Sequence, residues 1–224
     1  MHFLFQVRLV AVSKTKPLEL IQYAYKCGHR VFGENYAQEL VEKAKQMEQH
    51  KDDIQWHFIG SLQSNKANML VKGVVPYGKL VVETVSTVKM ANKLDNAMGE
   101  FSDDGTKKLE VFIQINTSGE DSKSGIDATD KDAVIELCKH IVHECDNVSL
   151  KGLMTIGAPG DDSCLDKLAE CRTVVATALG MDDAKELELS MGMSGDYEAA
   201  IVKQSTNVRV GSTIFGARYY PNRT

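Results

Sequence analysis

Short runs of aliphatic and β-branched residues recur along the chain, and each is followed by a segment whose apolar positions fall at helical spacing. VRLVAV (7–12) precedes a helix opened by Pro17, the favoured first helical position. HRVFG (29–33) precedes NYAQELVEKAKQM, QWHFIG (55–60) precedes SNKANMLVK, and LVVETVS (80–86) precedes TVKMANKLDNAM. LEVFIQINTS (109–118), VSLKGLMTIG (148–157), ELELSMGMS (186–194) and NVRVG (207–211) each lead into a further helical segment. The apolar runs do not alternate strictly, which is the pattern of strands buried on both faces. Eight such strand–helix units predict an α/β fold, a single TIM-type (β/α)8 barrel rather than an open doubly wound sheet. SDDGTKK (102–108) and APGDDS (158–163) are only loop-sized, so residues 1–224 are read as one domain.

Composition narrows the function classes. The chain has 224 residues, 43% hydrophobic and 25% charged, enough to bury roughly 70% of the unfolded surface without staples. A net charge of −5 offers no electrostatic footprint for nucleic acid or an anionic membrane. No run reaches the roughly 18 apolar residues of a membrane span. MHFLFQVRLV lacks a basic leader and a small-residue cleavage site, so a cytoplasmic protein is expected, with an organellar copy left open. Cys27, Cys138, Cys145, Cys164 and Cys171 form no C-x-x-C pair and read as small hydrophobic residues in a reducing compartment.

The unusual residues fall where strands end, which in a barrel is the mouth that carries chemistry. Lys14 ends the first strand, and GEN (33–35), with Asn35, follows the second. His57, Ile59 and Gly60 close the third. GMSGD, with Met193 and Ser194, and VGST, with Gly211 and Ser212, place glycine and small hydroxyl residues before the last two helices. Free N–H groups in such loops favour an anion, and a barrel's usual phosphate site lies after strands 7 and 8. A lone hydroxyl there could simply cap a helix. Two adjacent loops of this kind favour phosphate. A partly desolvated lysine at the same mouth can act as an amine nucleophile, against the alternative of a snorkelling strand-end lysine. His140 and His143 are three apart on a helix, but no third ligand completes a metal site.

AVSKTKP, VFGENYAQELVEKA, WHFIGSLQSNK, VETV, QINTSGEDSKSG, GLMTIG, LSMGMSGDYEAAI and VRVGSTIFGAR occur in order over about positions 7–218. Together they resemble the pyridoxal 5′-phosphate homeostasis proteins, the YggS/PROSC-like family, whose barrel is related to the N-terminal domain of alanine racemase. The resemblance implies a fold type III barrel that binds pyridoxal 5′-phosphate (PLP) through an internal aldimine on Lys14. It implies Asn35 beside the cofactor, Met193 in its pocket, and Ser194, Gly211 and Ser212 around its phosphate. Arg209 would face the pyridine nitrogen, and His57 and Ile59 would line the pocket wall. Ser212 stands where the family more often has threonine. The family also usually carries a covering helix ahead of the first strand, whereas here that strand begins almost at Met1. Apolar surface left open on the barrel's outside, detectable by dye binding, is the expected consequence.

An arginine beside the ring nitrogen disfavours its protonation and makes the ring a poorer electron sink. The resulting expectation is a monomeric carrier in vitamin B6 homeostasis that holds PLP, passes it to apo-enzymes and turns over no substrate. The alternative is a racemase-like enzyme acting on amino acids or a Schiff-base aldolase, which needs a second proton-transfer group. His57, Tyr36 and Cys27 are the candidates; Tyr36 reads as helix-start packing and Cys27 as core. The chain ends too soon after IFGARYY to hold the second domain that supplies this group in alanine racemases. Lys123, in GEDSKSG (119–125), has no role that the sequence explains.

Overall fold

The computed structural model describes residues 7–101, 107–120 and 122–217. Eight parallel strands close on themselves: β1 (Arg8–Val12), β2 (Val31–Glu34), β3 (Gln55–Phe58), β4 (Lys79–Val85), β5 (Leu109–Asn116), β7 (Val148–Met154), β8 (Glu188–Ser190) and β9 (Asn207–Val210). Closure rests on the β4–β5 pairing and on β1 lying between β2 and β9. The two-residue β6 (Ile126–Asp127) pairs only with the end of β5, and nothing in the sequence pattern announced it. β8 is confined to three residues, since the chain turns out of the sheet after Ser190.

Helices follow the strands: α1 (Leu18–Lys26), α2 (Ala37–Gln46), α3 (Ala67–Val74), α4 (Val88–Gly99), α5 (Lys131–Glu144), α6 (Ser163–Ala178), α7 (Tyr197–Val202) and α8 (Ser212–Phe215). Their starts are local chemistry. The Thr87 hydroxyl accepts from the Met90 N–H, and the Asp130 carboxylate from the Ala133 N–H, each satisfying an orphan donor. Pro17 stands one position earlier than expected: its backbone is extended, so it precedes α1 rather than opening it.

Two cores result. The outward faces of the strands pack against the helices through a continuous cluster that includes Phe32, Trp56, Phe58, Leu70, Leu94, Leu109 and Leu168. Inside the barrel, Val81, Phe112 and Met154 form a separate small cluster. Above it the interior turns polar, and that polar layer supports the mouth. Cys138, Cys145, Cys164 and Cys171 are buried and all five cysteines are unbridged, but Cys27 is exposed at the end of α1 rather than in the core. Tyr36 does start α2, yet it points to solvent and packs little. No helix among the described residues is long and apolar enough to cross a membrane.

Candidate functional site

A cavity of about 280 Å³ opens at the C-terminal mouth between the ends of β1, β3, β8 and β9. Seven of the nine residues singled out in the sequence line it: Lys14, Ile59, Met193, Ser194, Arg209, Gly211 and Ser212. Val12, Lys16 and Gly195 complete the wall. The Lys16 ammonium is engaged at the rim, donating to the carbonyls of Gly216 and Ala217 at 3.0 and 2.8 Å.

The two glycine–hydroxyl loops meet here. The Gly211 N–H donates to Ser194 Oγ at 3.2 Å, so the loop after β8 is tied to the loop after β9. Ser212 and Thr213 begin α8, and their N–H groups have no acceptor within the helix. Neither serine caps a helix: Gly211 precedes α8 and Asp196 precedes α7. Asp196 instead turns back and accepts from the Met193 N–H at 2.6 Å, closing the loop below Ser194.

Asn35 and His57 do not line the cavity. The Asn35 carbonyl lies so close to Gly60 that a Cβ at Gly60 would sit 1.9 Å from it, which fixes the two strand ends together. The Asn35 Oδ1 is buried and has no hydrogen-bond partner among the described residues. His57 is wholly buried in the barrel interior because its strand register, opposite Gly33 and Val81, points it inward below the mouth. Its Nδ1 bonds Glu83 Oε1, which leaves Nε2 without a partner among the described residues.

Glu83, which the sequence reading carried only within the VETV motif and gave no role, organises the interior. Ser190 Oγ donates to it at 2.5 Å and Asn207 Nδ2 at 3.0 Å. Those partners sit on β8 and β9, across the barrel from β4, so the bonds span the interior. Arg209 completes the layer. Only 4% exposed, its guanidinium donates to Ser190 Oγ at 2.6 Å and to the Thr155 carbonyl at 2.7 Å, with Glu83 Oε2 at 3.9 Å. Burial pushes the Glu83 carboxyl up, but the bonds and charges of His57, Arg209 and Ser190 outweigh it and hold it below its ordinary range. Burial pulls the Arg209 guanidinium down, opposed by the charge of Glu83. Arg209 is thus a fixed cation, locked from below, whose remaining face borders the cavity.

A second polar cluster lies under Lys14. Glu34, at the end of β2, is fully buried; burial raises its carboxyl to about 7 despite the opposing charge of Lys43. Lys123 joins two further loops, donating to the Gly157 carbonyl at 2.8 Å and pairing with Glu120 at 2.6 Å. His140 bonds Asn92 and His143 is exposed; among the described residues no group of three or more potential ligands could hold a metal.

A parallel barrel with a strand-end lysine, a buried arginine and paired glycine–hydroxyl loops at one mouth has known relatives. Residues 2–219 match the family described as alanine racemase, N-terminal domain. A pyridoxal phosphate homeostasis protein of Mus musculus is 44% identical over 97% of this chain and 79% of its own length. One of Caenorhabditis elegans is 44% identical over 96% of this chain and 88% of its own. Among solved structures, PipY of Synechococcus elongatus with PLP bound is 31% identical, with a TM-score of 0.75 over 94% of this chain and 92% of that chain. The chain belongs to the pyridoxal phosphate homeostasis protein family.

Proposed function

We propose that this protein binds pyridoxal 5′-phosphate at the barrel mouth as a Schiff base on Lys14 and serves intracellular PLP homeostasis, handing the cofactor to apo-enzymes without turning over a substrate. One observation carries the reading: an amine, a buried guanidinium and two tied anion loops converge on a single cavity. The naming of the relatives and the PLP-bound PipY structure support it.

The residues fit such a ligand end by end. Ser194, Ser212 and the N–H groups opening α8 would hold the phosphate, as small donors and backbone amides commonly do. Val12, Ile59 and Met193 give the ring an apolar wall. Arg209, held by Ser190 and Thr155, would face the ring nitrogen as a permanent donor and keep it unprotonated. When bound, the aldehyde would supply an electrophilic carbon, and Lys14 would serve as the amine that bonds to it with loss of one water.

What surrounds the lysine supports carriage rather than turnover. A racemase or aldolase needs a second group to move a proton at the reacting carbon. His57 is buried away from the cavity with Nδ1 committed to Glu83, and neither Tyr36 nor Cys27 lines the cavity. Lys16 does line it, but donates to two backbone carbonyls. Unbridged cysteines suit a cytoplasmic protein, and we read the chain as one barrel domain acting as a monomer. The test is the absorbance of the purified protein with PLP, before and after borohydride, followed by peptide mapping and an amino-acid turnover assay. A pyridoxyl group on Lys14 with no turnover, and reactivation of an apo-enzyme by the loaded protein, is the expected result. Turnover at about 1 s⁻¹ or faster would overturn the carrier reading.

A further inference from the structure

Lys14 leaves the barrel from a turn that a single buried ammonium holds from below. Lys43, on α2, is only 6% exposed, and its Nζ donates to three oxygens. These are the Ser13 carbonyl at 2.8 Å, Glu34 Oε1 at 2.7 Å and Glu39 Oε1 at 2.6 Å. An ammonium has three donors, so the set is saturated. Each acceptor reaches onward to the same turn. Glu34 Oε1 also accepts from the Ser13 hydroxyl at 2.7 Å, and Glu39 Oε1 accepts from the Thr15 N–H at 2.7 Å. The residues on both sides of Lys14 are therefore tied to one cluster.

The turn needs holding. Thr15 has φ of 59°, a left-handed conformation that is costly for a β-branched residue and persists only where the surroundings over-determine it. None of Lys43, Glu34 and Glu39 lines the cavity, so the cluster acts through the backbone and not on a ligand. Stability alone explains it poorly, since a buried ion pair is often no better than well-packed apolar residues.

We propose that Lys43 is a positioning residue, which fixes the turn at residues 13–15 so that the Lys14 amine is presented to the cavity. The proposal rests on the reading of Lys14 as the covalent anchor. It explains why a strand-end lysine, ordinarily a solvated and wandering side chain, is directed into a pocket. It also makes the register between β1, the end of β2 and α2 part of the site.

The test compares two ligands in Lys43→Met and Glu39→Ala. PLP can bond to Lys14; pyridoxine 5′-phosphate has the same ring and phosphate but no aldehyde. In Lys43→Met, borohydride-trapped attachment of PLP to Lys14 should slow by roughly tenfold to a hundredfold, while pyridoxine 5′-phosphate affinity stays within about threefold of wild type. Glu39→Ala, which removes the Thr15 anchor and one of the three Lys43 acceptors at the exposed side of the cluster, should slow trapping less and decides the matter alone if Lys43→Met does not fold. Equal losses for both ligands would reduce Lys43 to a structural residue and overturn the proposal, as would trapping at the wild-type rate. Wild-type protein that gives no adduct on Lys14 would remove the underlying reading, and the proposal with it. Wild-type adduct combined with unaltered variants would remove the proposal alone.

Discussion

The backbone N–H of Gly211 donates to the hydroxyl of Ser194 across 3.2 Å, joining the two loops that follow the last strands of the barrel. One serine therefore shapes a loop it does not belong to. Ser194→Ala removes this bond and, on the proposed reading, a donor to the phosphate. We expect affinity for pyridoxine 5′-phosphate to fall by about tenfold, near the 1 to 2 kcal/mol of one such bond, in a fluorescence titration. An unchanged dissociation constant would take Ser194 out of the site.

Lys14→Ala should give a protein that stays colourless with added PLP and carries no pyridoxyl group after borohydride. Its affinity for pyridoxine 5′-phosphate should hold, because that compound has no aldehyde for an amine to capture. Retention of the yellow chromophore would count against Lys14 as the anchor.

The Glu34 carboxyl makes stability depend on pH in an unusual direction. Lys43 and Glu39 on α2 and the Ser13 hydroxyl after β1 face it. With its value raised from 4.5 to about 7, the folded protein holds a proton that the unfolded chain releases. This contribution is complete below pH about 4.5 and is lost as pH rises through about 7, on the order of 3 kcal/mol in all. Glu34→Gln lacks the titrating group. Urea melts across this range should show the wild type losing ground to Glu34→Gln as pH rises; parallel profiles would refute the shift.

Glu83→Leu should be among the most damaging substitutions in the barrel. It strips the counter-charge and the acceptor from Arg209, Asn207, Ser190 and His57 at once. Removing one partner of a buried charged network costs about 3–5 kcal/mol, or a fall in melting temperature of roughly 6–20 °C for a chain of this size. Calorimetry of the ligand-free protein measures it directly, and a drop of only a degree or two would show the network to be dispensable.

The barrel was legible because parallel strands buried on both faces write themselves as apolar runs, and eight such runs are hard to arrange otherwise. Lys14 and the two glycine–hydroxyl loops could be placed at one mouth because strand ends in a barrel all face one way, and Arg209 was named through the family resemblance; all of them line one cavity. Their supports were not legible. Glu83 meets Ser190 and Asn207 over sequence separations of 107 and 124 residues, and no local pattern records a bond across the barrel interior. Lys43 sits at a helical position that reads as an ordinary exposed cation, and only the fold shows it turned under Ser13. His57 was placed in the pocket wall by the family resemblance, yet the inward register of β3 buries it beneath the mouth. Cys27 read as core because an unpaired cysteine ordinarily behaves as a small hydrophobe, though α1 ends there and leaves it in solvent.

β1 pairs with β9 in parallel, from Arg8 opposite Asn207 to Ala11 opposite Val210. On the proposed reading, the amine that captures the aldehyde follows β1 and the loop that holds the phosphate follows β9, neighbours in the barrel that lie far apart along the chain. Until β9 pairs with β1, the loop bearing Gly211 and Ser212 is not beside Lys14. Ring closure through the β1–β9 pairing unites the two, so on this reading a chain cut before β9 is expected to lose ligand retention even where the other strands fold.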